Sequence, residues 1–453
     1  MSGNPIKTLS STQFIRILSF IISGPAVILI AGVLISRFSR TNFNWILFVV
    51  CIALWTASAA LIYRKYFNFV RSLWFVLPVY LTFSILFLTT PYLLSDDIER
   101  YVWEGYVQNL GFSPYVVSPD DPRFSDETLN QKVNHPHMTA IYPPLSQLIF
   151  RILAWINPSQ ILFKSFFFLI SLVFIFFLWY WRCYFNSAYI LAGIFPFLAI
   201  ETSWSGHLDV LAVFFLAVSF LQVLKKHYFF SGIFLGLSAM SKLVPLLLSI
   251  FFMKEILLQY QWRIQKPEKQ TFLSVGVFGI GLILPFFLYI PHLWAEGYLI
   301  SSLAVYSRQW VFGSFFYSLL GLTGMDGFWI RIISGLNLFF AAAIIILRRR
   351  DLKTNLFFFM ISLSLFSPVV HPWYLLWLIP FAGEKYFYTA VVFLLASYLS
   401  YEVLEGMFAN HVWQEKPLII IAGYAAALFV LVFETYGKNI RRLLAGSQDD
   451  PAT

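Results

Sequence analysis

The stretch ILFKSFFFLISLVFIFFLWYW at residues 161–181 carries a single charged side chain, that of Lys164. An α-helix rises about 1.5 Å per residue, so a run of this length can cross a hydrocarbon layer of about 30 Å. Comparable apolar runs recur along the whole chain and are separated by short polar or basic segments. This pattern predicts an all-α polytopic membrane protein.

The composition supports the same fold class. Of the 453 residues, 59% are hydrophobic, 20% are aromatic and only 12% are charged. Globular domains have about 25% charged residues, so an ordinary soluble protein is excluded. The net charge of +9 comes from basic residues in gaps between apolar runs, which is typical of cytoplasmic loops. We therefore expect the lipid bilayer, and no nucleic acid, as a partner.

We expect about fourteen transmembrane helices, within a range of about 12 to 14. The stretch 229–253 is interrupted at Ser241 and Lys242 and is interpreted as two short spans, and 372–383 as a third short one. The other candidate spans are the apolar runs 14–36, 44–62, 73–94, 161–181, 187–204, 208–224, 272–290, 328–347, 354–370, 386–403 and 417–436.

The Lys and Arg residues predict the orientation, because cytoplasmic loops carry an excess of both. The Lys and Arg residues fall on one side of the membrane only if residues 142–156, with Arg151 in the middle, form a helix on the outer interface and do not span the membrane. Both termini are then cytoplasmic, and Arg37 and Arg40 are minor exceptions on the outside. The basic segments contain Lys7, Arg16, Arg64, Lys65, Arg71, Arg182, Lys225, Lys226, Lys254 to Lys269, Arg348 to Arg350, Lys385, Lys438, Arg441 and Arg442.

This topology divides the chain into five segments. Transmembrane helices are expected in 1–94, 161–290 and 328–453, the last with a short cytoplasmic tail. Residues 95–160 form a large extracytoplasmic loop with juxtamembrane helices, and residues 291–327 form a second outer loop. Because the first loop is acidic and the cytoplasmic loops are short, we expect the chemistry on the outside.

The segment SDDIERYVWEG at 95–105 has two adjacent carboxylates where the third span leaves the membrane. On a helix, Asp96, Arg100 and Glu104 share one face at i, i+4 spacing, whereas Asp97 is offset. A solvated interfacial helix with Asp96 as its N-cap is the structural alternative. Acidic pairs at a membrane boundary are costly, however, and are usually functional.

Four further segments contain polar residues in an apolar or aromatic context. His135 and His137 could face a metal only in an extended strand, and spacing fixes no further ligand, so a divalent metal is an open but disfavoured alternative. Glu201 and Asp209 need partners if they are ionised, and pairing with Lys242 is the structural alternative to a functional role. Arg308 lies among aromatic residues, which suits a phosphate and a sugar ring but also a cation at the interface. An aromatic belt explains Trp373 and Tyr374 but not His371.

Together these motifs resemble the GT-C class of polytopic glycosyltransferases that use polyprenyl-phosphate sugars, in particular its bacterial and archaeal mannosyltransferase-like branch. The resemblance covers roughly residues 90–380. It departs at Glu104, where Asp is common, and at Ser113, where Asn is common. The matching positions are Asp96-Asp97, Arg100-Tyr101, Trp103, Gly105, Pro114-Tyr115, Asn134-His135-Pro136, Tyr142 to Leu145, Gly206 to Asp209, and His371 to Trp377.

The resemblance implies transfer of a sugar from a polyprenyl-phosphate donor to a glycan or lipid acceptor. Mannose is the sugar expected from the family. The reaction would invert the anomeric carbon on the outer face of a bacterial or archaeal plasma membrane. Asp97, or else Asp96, would be the general base, with Arg100 holding the other acid ionised. The substrate-binding residues implied are Arg100, Glu104, Tyr115, His135, Tyr142, His207, Asp209, Lys242, Arg308, His371, Trp373 and Tyr374.

Two alternatives remain at this point. A transporter or flippase of lipid-linked sugars would use the outer acids as a coupling-ion site, although the sequence has no internal repeat of the kind transporters show. A non-catalytic membrane assembly factor could be built on the same scaffold. No nucleotide-binding motif is present, and a lipid-linked donor requires none.

Overall fold

The computed structural model describes residues 44–260, 269–293, 301–348 and 350–446, with side chains described to residue 437. The predicted span 14–36 lies outside these residues, as do Lys7, Arg16, Arg37 and Arg40. The described residues form helices joined by turns and loops, and no β-sheet. An isolated β-bridge joins Phe312 and Val369.

Most of the described chain is α-helical, with short 3₁₀ segments and one π-helix. The 3₁₀ segments are Pro122–Phe124, Asn130–Lys132, Val244–Leu248, Leu284–His292, Pro372–Phe381 and Tyr398–Glu402, and the π-helix is Ile200–Trp204. The α-helices are Trp45–Lys65, Phe67–Val70, Leu73–Leu88, Asp97–Asn109, Pro144–Ile156, Gln160–Tyr180, Arg182–Phe185, Ala188–Ile194, Phe197–Ala199, Asp209–Leu224, Tyr228–Ser241, Ser249–Gln259, Lys269–Ile283, Ser301–Gln309, Phe315–Gly321, Gly327–Leu347, Leu352–Phe366, Phe387–Ser397, Val403–Asn410 and Pro417–Gly446.

Six of these helical stretches are long and apolar enough to cross a membrane, and the protein is a membrane protein. They are Trp45–Lys65, Gln160–Tyr180, Lys269–His292, Gly327–Leu347, Phe387–Asn410 and Pro417–Gly437. Six more apolar helices are shorter than a full span: Leu73–Leu88, Pro144–Ile156, Asp209–Leu224, Tyr228–Ser241, Leu352–Phe366 and Pro372–Phe381. The all-α fold class is confirmed, whereas about fourteen spans stays a prediction.

Helix breaks account for several of the short elements. Proline cannot donate a backbone hydrogen bond, and Pro196 divides the predicted span 187–204 into Ala188–Ile194, Phe197–Ala199 and the π-helix. The expected interruption at Ser241 and Lys242 is present, because the Tyr228–Ser241 helix ends there and a 3₁₀ segment follows. Such breaks deliver polar side chains into the interior of an apolar bundle.

Segments that carry the basic residues meet at one end of the bundle. The Tyr189 hydroxyl donates a hydrogen bond to the Arg71 carbonyl, and Lys353 donates one to the Tyr184 carbonyl. Lys254 donates another to the carbonyl of Arg348. We call this region the basic end. The helices that leave it carry the chain to the opposite end of the bundle, where the 95–160 segment lies.

The 95–160 segment is folded against the bundle. Its two main helices, Asp97–Asn109 and Pro144–Ile156, pack closely at Gly105, where an added Cβ would collide with the Phe150 carbonyl. Beside them, a small apolar cluster forms from Trp103, Val107, Val117, Phe124 and Val133. The Pro144–Ile156 helix is present as predicted, and its location on the outer interface stays a prediction.

Candidate functional site

Asp96 and Asp97 lie at the start of the Asp97–Asn109 helix, and their carboxylates have different partners. Asp96 accepts a hydrogen bond from the Asn134 side chain at 2.6 Å and does not cap the helix through its carboxylate. Asp97 accepts one from the Tyr142 hydroxyl at 3.3 Å, and 24% of its side chain is exposed. Of the two carboxylates, Asp97 therefore accepts the longer and weaker hydrogen bond.

Arg100 forms no ion pair with Asp96 or Asp97, although its positive charge favours the ionised form of Asp97. Its guanidinium donates hydrogen bonds to the carbonyls of Asn134, His135 and Met138, and lies 3.7 Å from Glu104. The physical reason is burial: the guanidinium is enclosed, and its donors are satisfied by the loop that covers it. Arg100 thus fixes the 134–138 loop beside Asp96.

Two carboxylates of this helix have raised pKa values. Burial, together with the neighbouring Asp96, raises the pKa of Asp97 to about 6, although Arg100 and Lys242 oppose the rise. Burial also raises the pKa of Glu104 to about 7, against the effect of Arg100. Glu104 is nevertheless enclosed and accepts a hydrogen bond from the Gln147 side chain at 2.6 Å. Of these two carboxylates, Asp97 is the one that combines a raised pKa with a partly exposed side chain.

The His207 ring is buried next to the Asp97 carboxylate. Its Nδ1 is 3.9 Å from Asp97 Oδ2, and its Nε2 is 3.6 Å from Glu201 Oε2. The buried imidazole stacks on Trp373, with ring centroids 3.5 Å apart. His371 also stacks on Trp373, at 4.2 Å. The Gly206–Asp209 and His371–Trp377 motifs, distant in sequence, are therefore brought together beside the aspartates.

Asp209 and Lys242 form a buried ion pair at the adjacent helix ends. Lys242 Nζ lies 2.7 Å and 2.8 Å from the two Asp209 oxygens. Trp377 Nε1 donates a further hydrogen bond to Asp209, and the Lys242 ammonium lies 3.9 Å above the Tyr374 ring. The structural pairing considered for these two residues is present, and it holds the ammonium near Asp97.

The Ser301–Gln309 helix contributes Tyr306 to the cluster, and Arg308 lies on a different side of this helix. The Tyr306 hydroxyl lies 3.2 Å from the Tyr374 hydroxyl and 3.4 Å from His371 Nε2. Arg308 is two residues further along the Ser301–Gln309 helix, about 200° around its axis, and is exposed. It forms no ion pair with any residue in the described part of the chain.

The remaining predicted residues lie around this cluster. Tyr142 contacts Asp97 directly, whereas Tyr115 is buried and donates a hydrogen bond to the Tyr142 carbonyl at 2.7 Å. His135 is exposed, and its ring packs edge-on against Trp310. Its backbone has a φ of 44°, so the extended strand that a His135–His137 metal site would need is not formed. Across the described residues, no three His, Cys, Asp or Glu side chains are grouped to hold a metal ion.

Three residues of this cluster were not among the predicted site residues. Glu201 faces His207, Trp377 binds Asp209, and Tyr306 contacts His371. A buried acid in an apolar run is a signal that could have selected Glu201. Tyr306 has no comparable signal, because many aromatic residues occur at the ends of the spans.

The cluster contains what a group transfer to a hydroxyl requires. It offers a carboxylate with a raised pKa, a lysine ammonium, and aromatic rings on which a sugar can stack. No Gly-rich phosphate loop accompanies these groups in the sequence.

Comparison with known proteins identifies the family. The model of glycosyltransferase family 87 matches residues 140–372, which is more than half of the chain. The match includes His207, Asp209, Lys242, Arg308 and His371 and begins after the two aspartates. No curated protein and no solved structure matches the chain. The chain belongs to glycosyltransferase family 87, and it is a membrane enzyme that transfers a sugar from a donor to an acceptor.

Proposed function

We propose that this glycosyltransferase uses a polyprenyl-phosphate sugar, with mannose the favoured sugar, and acts on the extracytoplasmic face of a cell membrane. The acceptor is a hydroxyl of a glycan or lipid. The observation that carries the proposal is the partly exposed Asp97 carboxylate, placed beside Tyr142 and His207 at the end of the bundle opposite the basic end. A lipid phosphate embedded in the bilayer would present its head group at this level.

In the proposed reaction Asp97 removes the proton of the acceptor hydroxyl. The acceptor oxygen attacks the anomeric carbon, and the bond between that carbon and the phosphate oxygen breaks. The bonding electrons leave with the polyprenyl phosphate, and attack from the opposite side inverts the configuration. Asp97 suits this role because its pKa of about 6 leaves it mostly ionised at neutral pH, while still basic enough to accept a proton.

A cation near the departing phosphate would stabilise the negative charge that develops there. Lys242 is one candidate, because its ammonium is held at the site by Asp209 and 14% of its side chain is exposed. Arg308 is the other, because it is exposed on the outer-loop helix and a guanidinium binds phosphate through two hydrogen bonds. The aromatic cluster of Tyr306, Trp373 and Tyr374 would contact the sugar ring.

The test uses the purified protein in nanodiscs with radiolabelled polyprenyl-phosphate mannose and a lipid extract of the host membrane as acceptor. We expect free polyprenyl phosphate and a new labelled product to appear together. Movement of intact donor across a proteoliposome membrane without cleavage would instead indicate a transporter. Absence of both activities, with donors carrying several different sugars, would favour the assembly factor.

A further inference from the structure

His207 lies between two carboxylates, and neither distance is that of a formed hydrogen bond. Nδ1 is 3.9 Å from Asp97 Oδ2, and Nε2 is 3.6 Å from Glu201 Oε2. The ring is fully buried against Trp373. Within the described residues, both ring nitrogens and Glu201 Oε2 are buried polar atoms without a hydrogen-bond partner. Such atoms are costly, and in enzymes without substrate, catalytic hydrogen bonds are often long and shorten when substrate binds.

The fold presents Glu201 to His207 through an unusual backbone segment. Glu201 is the second residue of the Ile200–Trp204 π-helix, a form that is rare and frequent at functional sites. The Tyr398 hydroxyl donates a hydrogen bond to Glu201 Oε1 at 2.6 Å, the Tyr401 hydroxyl also faces this carboxyl, and Oε2 is the oxygen 3.6 Å from His207. Glu201 has no exposed surface, so solvation does not explain why an ionisable side chain stands at this position.

The burial of both side chains restricts their protons. A net charge in a fully buried pair is strongly unfavourable, so Glu201 and His207 together should be neutral. Two arrangements meet this condition: a protonated carboxyl with a neutral ring, or a carboxylate with an imidazolium. If the protonated carboxyl donates to Nε2, or if the ring is an imidazolium that donates to the carboxylate, Nδ1 carries the N–H that faces Asp97.

We propose that Glu201 is a positioning residue that acts through His207, fixing an N–H at Nδ1 that donates to Asp97 Oδ2. This inference rests on the proposed function, because it assumes that Asp97 is the base. The donated hydrogen bond stabilises the ionised form of Asp97 and turns its other oxygen towards the acceptor hydroxyl. The imidazole is kept in place by its stacking on Trp373.

The proton balance of the step is simple. The acceptor O–H bond breaks, and the proton goes to Asp97 as the sugar is transferred. His207 keeps its Nδ1 proton throughout, so neither it nor Glu201 gains or loses charge. Asp97 then releases the acquired proton to water through its exposed side, and the site returns to its starting state.

Other groups also face these three side chains and will contribute to any pH dependence. Positively and negatively charged groups surround Asp97. The buried pair faces phenols, an acid, an ammonium and a second imidazole. The facing groups are Asp96, Arg100, Lys242 and Tyr142 around Asp97, Tyr398, Tyr401 and Asp209 around Glu201, and Lys242 and His371 around His207. None of them is altered in the variants below.

The test compares the pH profiles of kcat/KM for three substitutions of Glu201. Glu201→Met removes the polar contact with similar volume, and Glu201→Asp retracts the carboxyl by one methylene while keeping its acidity. Both should move the acidic limb to higher pH by about half to one unit, because Asp97 loses its N–H donor. The activity loss should be about two- to fivefold at pH 6 and should nearly vanish at pH 8.5.

Glu201→Gln is the matched control. Its amide can accept from Tyr398 and donate to Nε2, so it imposes the same N–H at Nδ1, and its limb should coincide with that of the wild type. The inference would be overturned if the acidic limb of the Met and Asp variants stayed at the wild-type pH. It would also be overturned if the limb of the Gln variant moved as far as theirs. If the Met variant does not purify as a single monodisperse species, the Asp and Gln variants decide in the same way.

Failure of this inference is distinguishable from failure of the proposed function. If Asp97→Asn abolishes turnover while all three Glu201 variants keep the wild-type limb, Asp97 is the base and Glu201 is merely structural. If Asp97→Asn keeps both turnover and the limb, the assignment of the base itself is wrong. A purely structural role for Glu201 would lower the amount of folded enzyme and leave the limb where it was.

Discussion

At the scale of single residues, the pKa of Asp97 makes the clearest prediction. Its value of about 6 lies above the usual range because of burial and Asp96. A base must be deprotonated, so kcat/KM should be lost as the pH falls through about 6 and should reach a plateau above it. At pH 5 the activity should be about tenfold below the plateau.

The measurement is a pH–rate profile from pH 5 to 8 with the radiolabelled donor. Asp121 is a suitable control, because its hydrogen bonds with Arg123 lower its pKa to about 2, and it does not titrate in this interval. Asp121→Asn should therefore reproduce the wild-type profile. A wild-type profile that is flat from pH 5 to 7 would contradict the role given to Asp97.

Arg308 makes a second prediction at this scale. If its guanidinium binds the donor phosphate, Arg308→Ala should raise the KM for the donor by about ten- to a hundredfold, and Arg308→Lys by less, because Lys lacks the planar fork. Arg123→Ala is the control, since Arg123 is also exposed on an outer-loop segment but is paired with Asp121. Wild-type KM in both Arg308 variants would leave Lys242 as the candidate cation.

The sequence indicated most of the residues in the cluster but not their partners. The adjacent aspartates and the buried His207 are visible as polar residues at the ends of apolar runs. The sequence did not indicate the hydrogen-bond partners of Arg100, because helical spacing describes neighbours on the same helix and not the carbonyls of a covering loop. Glu201 needed the fold, which places it beside His207 only through the π-helix.

At the scale of elements, the two helices of the 95–160 segment depend on a close contact. Gly105 of the first helix lies against the Phe150 carbonyl, and its added Cβ would also be 2.9 Å from Ala154 Cβ. Gly105→Ala should therefore force the helices apart and displace Asp97, which begins the first of them. We expect a melting temperature lower by several degrees and a loss of activity.

Gly276→Ala is the matched control for this substitution. Gly276 also lies within a helix, Lys269–Ile283, and an added Cβ there would meet nothing within 4 Å. Alanine favours a helix over glycine by about 1 kcal/mol, so this variant should be as stable as the wild type or slightly more so. Equal melting temperatures for the two alanine variants would show that the packing at Gly105 is not tight.

Helix positions were largely predictable from apolar periodicity and proline, whereas helix ends were not. The run at 161–181 became Gln160–Tyr180, but the run at 73–94 ends as a helix at Leu88. Residues 89–94 begin with two threonines and a proline and form an irregular connection that leads to Ser95 and Asp96. Lys164 stabilises this connection by donating hydrogen bonds to the carbonyls of Phe87 and Thr90, a contact that no sequence pattern describes.

At the scale of the whole molecule, the orientation of the bundle is the open prediction. The contacts that join Arg71, Tyr184, Lys254 and Arg348 to neighbouring segments support a single basic end, which the distribution of Lys and Arg assigns to the cytoplasm. The 95–160 segment would then be outside. Ser125 is exposed in this segment and suits a labelling test.

A cysteine placed at Ser125 should react with an impermeant maleimide added to intact cells. Cys183 provides an internal control, because it is exposed and follows Arg182 near the basic end, so it should react only after lysis. Cys51 is buried and should stay unreactive. Labelling of Cys183 in intact cells, with Ser125→Cys protected until lysis, would reverse the orientation.

The measurement that tests the central claim most directly is turnover of the amide variants of the two aspartates with a radiolabelled polyprenyl-phosphate sugar. Asp97→Asn should lower the rate of polyprenyl phosphate release by about 10²- to 10⁴-fold, with folding and donor binding nearly unchanged. Asp96→Asn should lose less, partly through a weakened contact with Asn134. If both variants kept more than a tenth of the wild-type rate, this pair would not supply the base, and His207 and Asp209 would be the next candidates.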